Sequence, residues 1–206
     1  MFSSKIFIVS ITVLGQDFTK KDSLRGALLP ERVWFDVNYY HLNLDVNPNS
    51  KSISGFNDIH FNVKSKSHIM QLDLFENMII DSIVYNNEIC AFFREYDSFF
   101  VEFPQTFSEG EQDKVRVYYH GSPIKASNPP WDGGFVWKKD SSGLPWVGVA
   151  CQGMGASSWW PCKDHLSDKP DSIRITCSVP KEIRFVGNGN LESDFQEAEK
   201  RISTWK

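Results

Sequence analysis

Apolar and polar residues alternate in short runs along this chain, and this alternation is what most constrains its fold. Successive side chains of a β-strand point to opposite faces, so each run predicts a strand with one buried face. Turn residues separate the runs, which recur at spacings of roughly 8–15 residues. Clear examples are Phe35/Val37/Tyr39, Leu42/Leu44/Val46, Ile59/Phe61/Val63 and Val115/Val117/Tyr119. The sequence therefore predicts an all-β fold, either an antiparallel sandwich or a layered, saddle-shaped sheet.

Local signals refine this prediction. The parity of the alternation changes near Tyr40, which predicts a β-bulge there. The pair Asn86-Asn87 predicts a tight hairpin turn, because asparagine tolerates a positive φ. No long helix is predicted. Residues 193–201 are the best helical candidate but lack an apolar stripe, and residues 16–32 are polar and irregular, which is typical of a leader segment into the fold.

The N-terminus has the layout of a signal peptide. A short basic stretch ending at Lys5 precedes nine uncharged, largely apolar residues, 6–14, and Val13-Leu-Gly15 suits a cleavage site. Nine residues are too few to span a bilayer, which needs about 20. The sequence thus predicts a signal peptide over residues 1–15 and an exported protein, periplasmic or secreted, without a membrane span. A buried N-terminal strand is the alternative.

Charge and cysteine content exclude several classes of partner. The net charge is −4 and no basic run exceeds two residues, so no nucleic-acid partner is expected. The cysteines are too sparse for a disulfide scaffold, and no C-x-x-C spacing suggests a zinc knot. Cys151 and Cys162 could form a bridge, or all four could be small buried hydrophobic residues (Cys90, Cys151, Cys162 and Cys177).

Between residues 121 and 163 the alternation gives way to prolines, glycines and five of the seven tryptophans. This composition predicts a long loop region anchored by aromatic side chains, and such loops usually carry function. The tryptophans could be core anchors or a platform for stacking sugars. Trp159 and Trp160, if extended, would point to opposite faces, which favours core anchors.

Several segments together resemble a known family. Val37-x-Tyr-Tyr-x-Leu-x-Leu44, Ile53-Ser-Gly55, Asp132-Gly-Gly-Phe135 and Val186-Gly-Asn-Gly189 stand in the family's order, and Gln152 precedes Pro161-Cys-x-Asp164 by nine residues. The chain resembles the N-terminal domain of the aminopeptidase N family of zinc metallopeptidases, which includes leukotriene-A hydrolase, and looks like an exported bacterial type. The likeness covers nearly all of residues 33–206, which we therefore predict to be this β domain.

The resemblance implies a saddle-like β domain that packs against a thermolysin-like catalytic domain. It also implies that Gln152 binds the free α-amino group of a peptide substrate. An ammonium donates three hydrogen bonds, and an amide oxygen can accept one without titrating. The alternative is that Gln152 satisfies loop backbone groups. Ser157 stands where many relatives have an arginine.

The family's zinc-binding residues have no counterpart here. The sequence contains no H-E-x-x-H, and none of its five histidines is spaced i, i+4 from another. We therefore expect no cofactor in this chain, zinc in the intact family enzyme, and no catalysis by this chain alone. Its expected partners are the catalytic domain and a peptide N-terminus. A stand-alone secreted β-sandwich that binds peptides or glycans is the alternative function.

A short segment after Pro161 contains two aspartates and one histidine. Asp164, His165 and Asp168 are close in sequence and could hold a metal or act as a general base. The simpler interpretation is that Asp164 buttresses the loop after Pro161 while His165 and Asp168 lie in solvent.

Overall fold

Three β-sheets and a few short helices form the described part of the chain. The computed structural model describes residues 17–129 and 131–206, so the predicted signal peptide over residues 1–15 lies outside the described residues. Strands account for 54% of the chain and helices for 7%, which confirms the all-β prediction. The helices are α1 (Lys20–Gly26), α2 (Pro30–Val33) and a 3₁₀ turn (Ala156–Ser158).

Eight strands form the largest sheet, in the spatial order β12-β13-β11-β1-β2-β8-β4-β5. Every pair in it is antiparallel except β1 with β11, which run parallel from Tyr39 opposite Ser172 to Asp45 opposite Ser178. The strands are β1 (Phe35–Asn47), β2 (Ser52–Val63), β4 (Met78–Tyr85), β5 (Glu88–Ile89), β8 (Gln112–Gly121), β11 (Ser172–Pro180), β12 (Leu191–Glu197) and β13 (Lys200–Trp205).

A smaller sheet packs face to face on part of the large one. It contains β3 (Ser67–Asp73), β7 (Ser98–Phe107) and β6 (Ala91–Glu95), in that spatial order. Phe61 of the large sheet contacts Phe103 and Phe107 of the small sheet, with ring centroids 6.2 and 5.6 Å apart. All three rings are buried in one continuous core. The alternating apolar residues thus fill the space between two sheets, as the layered prediction requires.

Two local predictions are confirmed. The register of β1 against β2 shifts between Val37 and Tyr39, which leaves Asn38 as the extra residue of a bulge. This bulge lets Val37 and Tyr40 both point into the core despite their opposite parity. Asn86 and Asn87 both have positive φ, 50° and 66°, and form the hairpin turn between β4 and β5.

Two other segments differ from their sequence-based description. Residues 193–201, named as the best helical candidate although no long helix was predicted, form most of the β12–β13 hairpin, with Ala198 at φ 51° in its turn. Asp194 and Arg201 pair across this hairpin at 2.6 and 2.8 Å, a contact that only the folded sheet supplies. The leader is also not irregular, since it contains α1 and α2; Thr19 and Asp22 form a capping box that starts α1.

The tryptophan-rich region contains one further hairpin. Strands β9 (Gly134–Lys139) and β10 (Pro145–Ala150) form a two-stranded sheet. The Asp140 carboxylate closes its turn by accepting hydrogen bonds from the backbone of Ser142 and Leu144, each at 2.9 Å. Apart from this hairpin and the 3₁₀ turn, the described residues between 122 and 163 are largely irregular, as predicted. Within the described residues, no helix has the length and hydropathy needed to cross a membrane.

Candidate functional site

Gln152 lies in a tight turn directly after β10. The amides of Met154 and Gly155 both donate to the Cys151 carbonyl, at 3.1 and 3.0 Å. The Gln152 side chain is exposed. The Asp132-Gly-Gly motif packs against the same turn, because a Cβ at Gly133 would lie 2.4 Å from the Met154 sulfur. The structure thus brings together two of the segments on which the family resemblance depends.

Asp164 holds the backbone that follows this turn. Its Oδ2 accepts from the Ser157 amide at 3.1 Å and from the Ser157 hydroxyl at 2.6 Å. The Ser157 carbonyl in turn accepts from the Phe75 amide at 2.9 Å. Gly155 passes so close to Asp164 that a Cβ there would lie 2.0 Å from the carboxylate. Asp164 therefore buttresses the loop before Pro161, whereas the prediction placed this role after Pro161, and Ser157 takes a buried structural place.

A buried carboxylate, Asp73, lies at the centre of the contacts behind the turn. Its Oδ1 accepts from Arg32 at 2.5 Å and Ser98 at 3.0 Å, and its Oδ2 accepts from the Asp164 amide at 3.0 Å. Burial raises the pKa of Asp73 to about 6, and the Arg32 guanidinium opposes this rise. At neutral pH the group is thus a charged acceptor that ties β3, β7, α2 and the loop together.

The expectation that His165 and Asp168 lie in solvent is wrong. The Asp168 carboxylate is almost fully buried, 2.6 Å from the equally buried Lys163 ammonium. It also accepts from the Val37 amide at 3.1 Å. His165 is half-buried, with Nδ1 accepting from the Ser167 amide at 3.1 Å and Nε2 lying 3.2 Å from the Gly26 carbonyl. The reason is that the segment after Pro161 folds back onto β1 and α1 instead of leaving the surface.

The tryptophans divide between core and surface. Trp137, Trp159 and Trp160 pack on the core, which confirms the core-anchor interpretation for three of the five. Trp159 and Trp160 do not point to opposite faces, since they follow a 3₁₀ turn rather than a strand and contact each other edge to face, with centroids 6.3 Å apart. Trp131 and Trp146 are 73% and 53% exposed.

An apolar groove runs beside the turn. It has a volume of about 470 Å³ and lies between β10 and residues 183–188. Its walls include aromatic and aliphatic side chains (Phe135, Trp146, Val149, Trp159, Phe185 and Val186). Val149 and Val186 at its rim are exposed.

All four cysteines are free thiols in the structure. Cys90, Cys162 and Cys177 are buried, which favours the interpretation as small hydrophobic residues for these three. Cys151 is half-buried, and its sulfur accepts from the Trp159 indole N–H at 3.2 Å.

The supports behind the turn were not predicted from the sequence. Arg32 is fully buried, and its partner Asp73 lies 41 residues away in sequence. No local pattern signals such a pair. The unusual backbone at Gly155 could have been suspected from Gly153-Met-Gly155, because closely spaced glycines often mark positive φ angles. Both glycines have a positive φ.

Comparison with solved structures finds this architecture in zinc peptidases. An M1 zinc metallopeptidase from Deinococcus radiodurans is 20% identical over 85% of this chain, with a TM-score of 0.70. A mutant of an M1 zinc metallopeptidase from the same organism, bound to a Tyr-Ser-Ala substrate, is 22% identical over 83%, with a TM-score of 0.69. Yeast leukotriene A4 hydrolase is 20% identical over 84%, with a TM-score of 0.63.

The fold is that of the M1 metallopeptidase N-terminal domain. The resemblance predicted from the sequence is thereby confirmed at the level of fold. The chain spans 39% of the length of the bacterial M1 enzyme and 27% of the yeast hydrolase. No protein-family model matches the sequence, and no curated protein matches it.

The M1 neighbours are zinc metallopeptidases, and zinc needs a definite set of protein donors. Structural and catalytic zinc sites use three or four nitrogen, sulfur or oxygen donors from the protein. Within residues 17–129 and 131–206 no group of three His, Cys, Asp or Glu side chains is placed to hold a metal. Asp164, His165 and Asp168 instead face three different partners, Ser157, Gly26 and Lys163. The described residues therefore do not fit a zinc ion.

Proposed function

We propose that this chain is the non-catalytic, substrate-side N-terminal domain of an exported zinc aminopeptidase, and that Gln152 binds the α-ammonium of the peptide. The observation that carries the proposal is the exposed amide side chain of Gln152, on a turn whose backbone hydrogen bonds are made to other groups. The turn's own amides donate to the Cys151 carbonyl and its Met154 carbonyl accepts from Arg25, while no described group accepts from or donates to the Gln152 side chain. It is therefore free to accept from a ligand.

The scaffold behind Gln152 supports this role. Binding groups discriminate well only when buried neighbours fix their position. Here a buried carboxylate, Asp73, and the half-buried Asp164 hold the loop from behind, and Gly133 packs on its front. In the proposal, residues 148–160 form one wall of the pocket for the first substrate residue, and the catalytic domain supplies the zinc, the remaining walls and the chemistry.

The test uses the complete protein encoded by the source gene, whose sequence beyond Lys206 is determined first. A continuation with the zinc-binding H-E-x-x-H motif is expected; a stop codon would refute the proposal. In the full enzyme, Gln152→Ala is expected to raise KM for an aminoacyl-nitroanilide about 10-fold or more, because a hydrogen bond to a charged group contributes about 1.5–3 kcal/mol.

Gln196→Ala is the matched control, since Gln196 is equally exposed but lies on β12. Equal KM values for the two variants would contradict the assignment of Gln152. Export is tested separately by N-terminal sequencing of the protein released from cells, which is expected to begin near Gln16.

The apolar groove favours one second candidate, a stand-alone secreted module that binds peptides or glycans. An exposed indole, Trp146, beside Phe185 and Val186 offers a surface for an apolar or sugar ligand. A stable 16–206 chain whose tryptophan fluorescence saturates with oligosaccharide or peptide, and no longer does so as Trp146→Ala, would support this candidate over the aminopeptidase domain.

A further inference from the structure

Helix α1 reaches the Gln152 turn through a single side chain. The Arg25 guanidinium donates from Nη2 to the Met154 carbonyl at 2.6 Å, across 129 residues of sequence. The Met154 amide already donates within the turn, to Cys151. Both main-chain polar groups of Met154 are therefore bound, one by the turn itself and one by Arg25, and this restrains the two peptide units that flank Met154.

A second contact ties the same end of α1 to the residues that follow Pro161-Cys-x-Asp164. His165 Nδ1 accepts from the Ser167 amide, so its Nε2 carries the proton and donates to the Gly26 carbonyl at 3.2 Å. Arg25 and Gly26 thus contact residues on both sides of the loop that Asp164 buttresses.

Helix α1 is itself anchored to the rest of the fold, so Arg25 and Gly26 occupy defined positions. Leu24 is buried, and its carbonyl accepts from Gln71 at 2.8 Å. The buried Arg32 donates to the Arg25 carbonyl at 2.9 Å while it pairs with Asp73.

We propose that Arg25 is a positioning residue: it clamps the turn that presents Gln152, so the segment before the β domain is a working part of the site. The contact between Arg25 and Met154 lies within this chain and does not depend on any partner. Its consequence for peptide binding rests on the proposed function. The contact is exposed, yet it joins a charged donor to a carbonyl, and such bonds contribute more than neutral ones.

The experiment compares amide hydrogen exchange by NMR in the 206-residue chain and its variants. Arg25→Ala is expected to speed exchange of the Met154 and Gly155 amides about 5- to 10-fold, while the core amide of Val117 is unchanged. Arg25→Lys is expected to restore much of the protection, since its ammonium can also donate to the Met154 carbonyl. Lys20→Ala, on the same helix but remote from the turn, is the control and is expected to have no effect on these amides.

Two results would overturn the proposal. One is unchanged exchange at Met154 and Gly155 in Arg25→Ala; the other is faster exchange everywhere, Val117 included, which would make Arg25 merely a stabilising residue. In the full enzyme Arg25→Ala is expected to raise KM more than it lowers kcat. Faster exchange without any change in KM would refute the role of Gln152 and leave the clamp in place.

Discussion

Replacing Gly155 by alanine tests how the loop behind Gln152 is built. Gly155 has φ 83° and ψ 171°, a region essentially restricted to glycine, where other residues cost about 1–3 kcal/mol. The new Cβ would also lie 2.0 Å from Asp164 Oδ2, so the carboxylate must retreat by about 1 Å or more. That movement breaks its two hydrogen bonds to Ser157.

The expected loss of stability follows from these two parts. Hydrogen bonds contribute about 1 kcal/mol each where water can replace them, as at the half-buried Asp164. Together with the backbone strain, Gly155→Ala is expected to lower the free energy of unfolding by about 3–5 kcal/mol. Gly153→Ala is the matched control: Gly153 has φ 73° but nothing within 4 Å of its added Cβ, so only about 1–2 kcal/mol is expected.

The assay is equilibrium unfolding in urea, followed by tryptophan fluorescence and circular dichroism. A double-mutant cycle with Asp164→Ala separates the two parts, because without the carboxylate Gly155→Ala should cost only the backbone strain. The reasoning is refuted if Gly155→Ala costs no more than Gly153→Ala, or if its cost is the same with and without Asp164.

Three further predictions concern the core, pH and the thiols. Phe61→Ala removes a buried ring between the two sheets and is expected to lower the free energy of unfolding by about 3–5 kcal/mol in urea; a loss under 1 kcal/mol would mean that the sheets do not pack there. Burial raises the pKa of Asp73 from 3.8 to about 6, so the folded state binds a proton that the unfolded chain releases between these values. This carboxyl therefore adds stability below pH ~4 that is lost as pH rises through ~6, and the loss is at most about 3 kcal/mol. The curve of unfolding free energy against pH for Asp73→Asn is expected to lack this fall. Parallel curves for the variant and the original protein would contradict the assignment. Ellman's reagent is expected to modify Cys151 in the folded chain and the other three cysteines only on unfolding (Cys90, Cys162 and Cys177). Burial covers these three thiols and raises their pKa. More than one rapidly reacting thiol in the folded chain would contradict this prediction.

The strands were predictable because their signal is local. Each buried face repeats every second residue, and the bulge at Asn38 shows as a change of parity within β1. The Asn86-Asn87 turn was predictable for the same reason, since its positive φ angles depend on the residues themselves. Residues 193–201, the best helical candidate, instead form a hairpin in which Asp194 and Arg201 pair across the strands, because cross-strand contacts outweigh weak helix propensity.

Only the exposed part of the candidate site was indicated by the sequence. The family resemblance, which includes Gln152 followed nine residues later by Pro161-Cys-x-Asp164, implied a role for Gln152, and that role stays a prediction. The supports of Gln152 could not be predicted, because Arg25 meets Met154 and Arg32 meets Asp73 only after the chain has folded. Asp168 was placed in solvent for the same reason: its partners, Lys163 and the Val37 amide, converge from β1 and the loop.

The parallel pairing of β1 with β11 has a consequence for synthesis on the ribosome. β1 and β2 can pair as soon as both have emerged, but the other edge of β1 waits for β11, whose first residue is Ser172. Until then that edge presents unpaired backbone groups, which recruit strands of other chains. Nascent chains that end before residue 172 are therefore expected to depend on chaperones far more than those that have passed it, and a pause in translation there would set how much protein reaches its folded state.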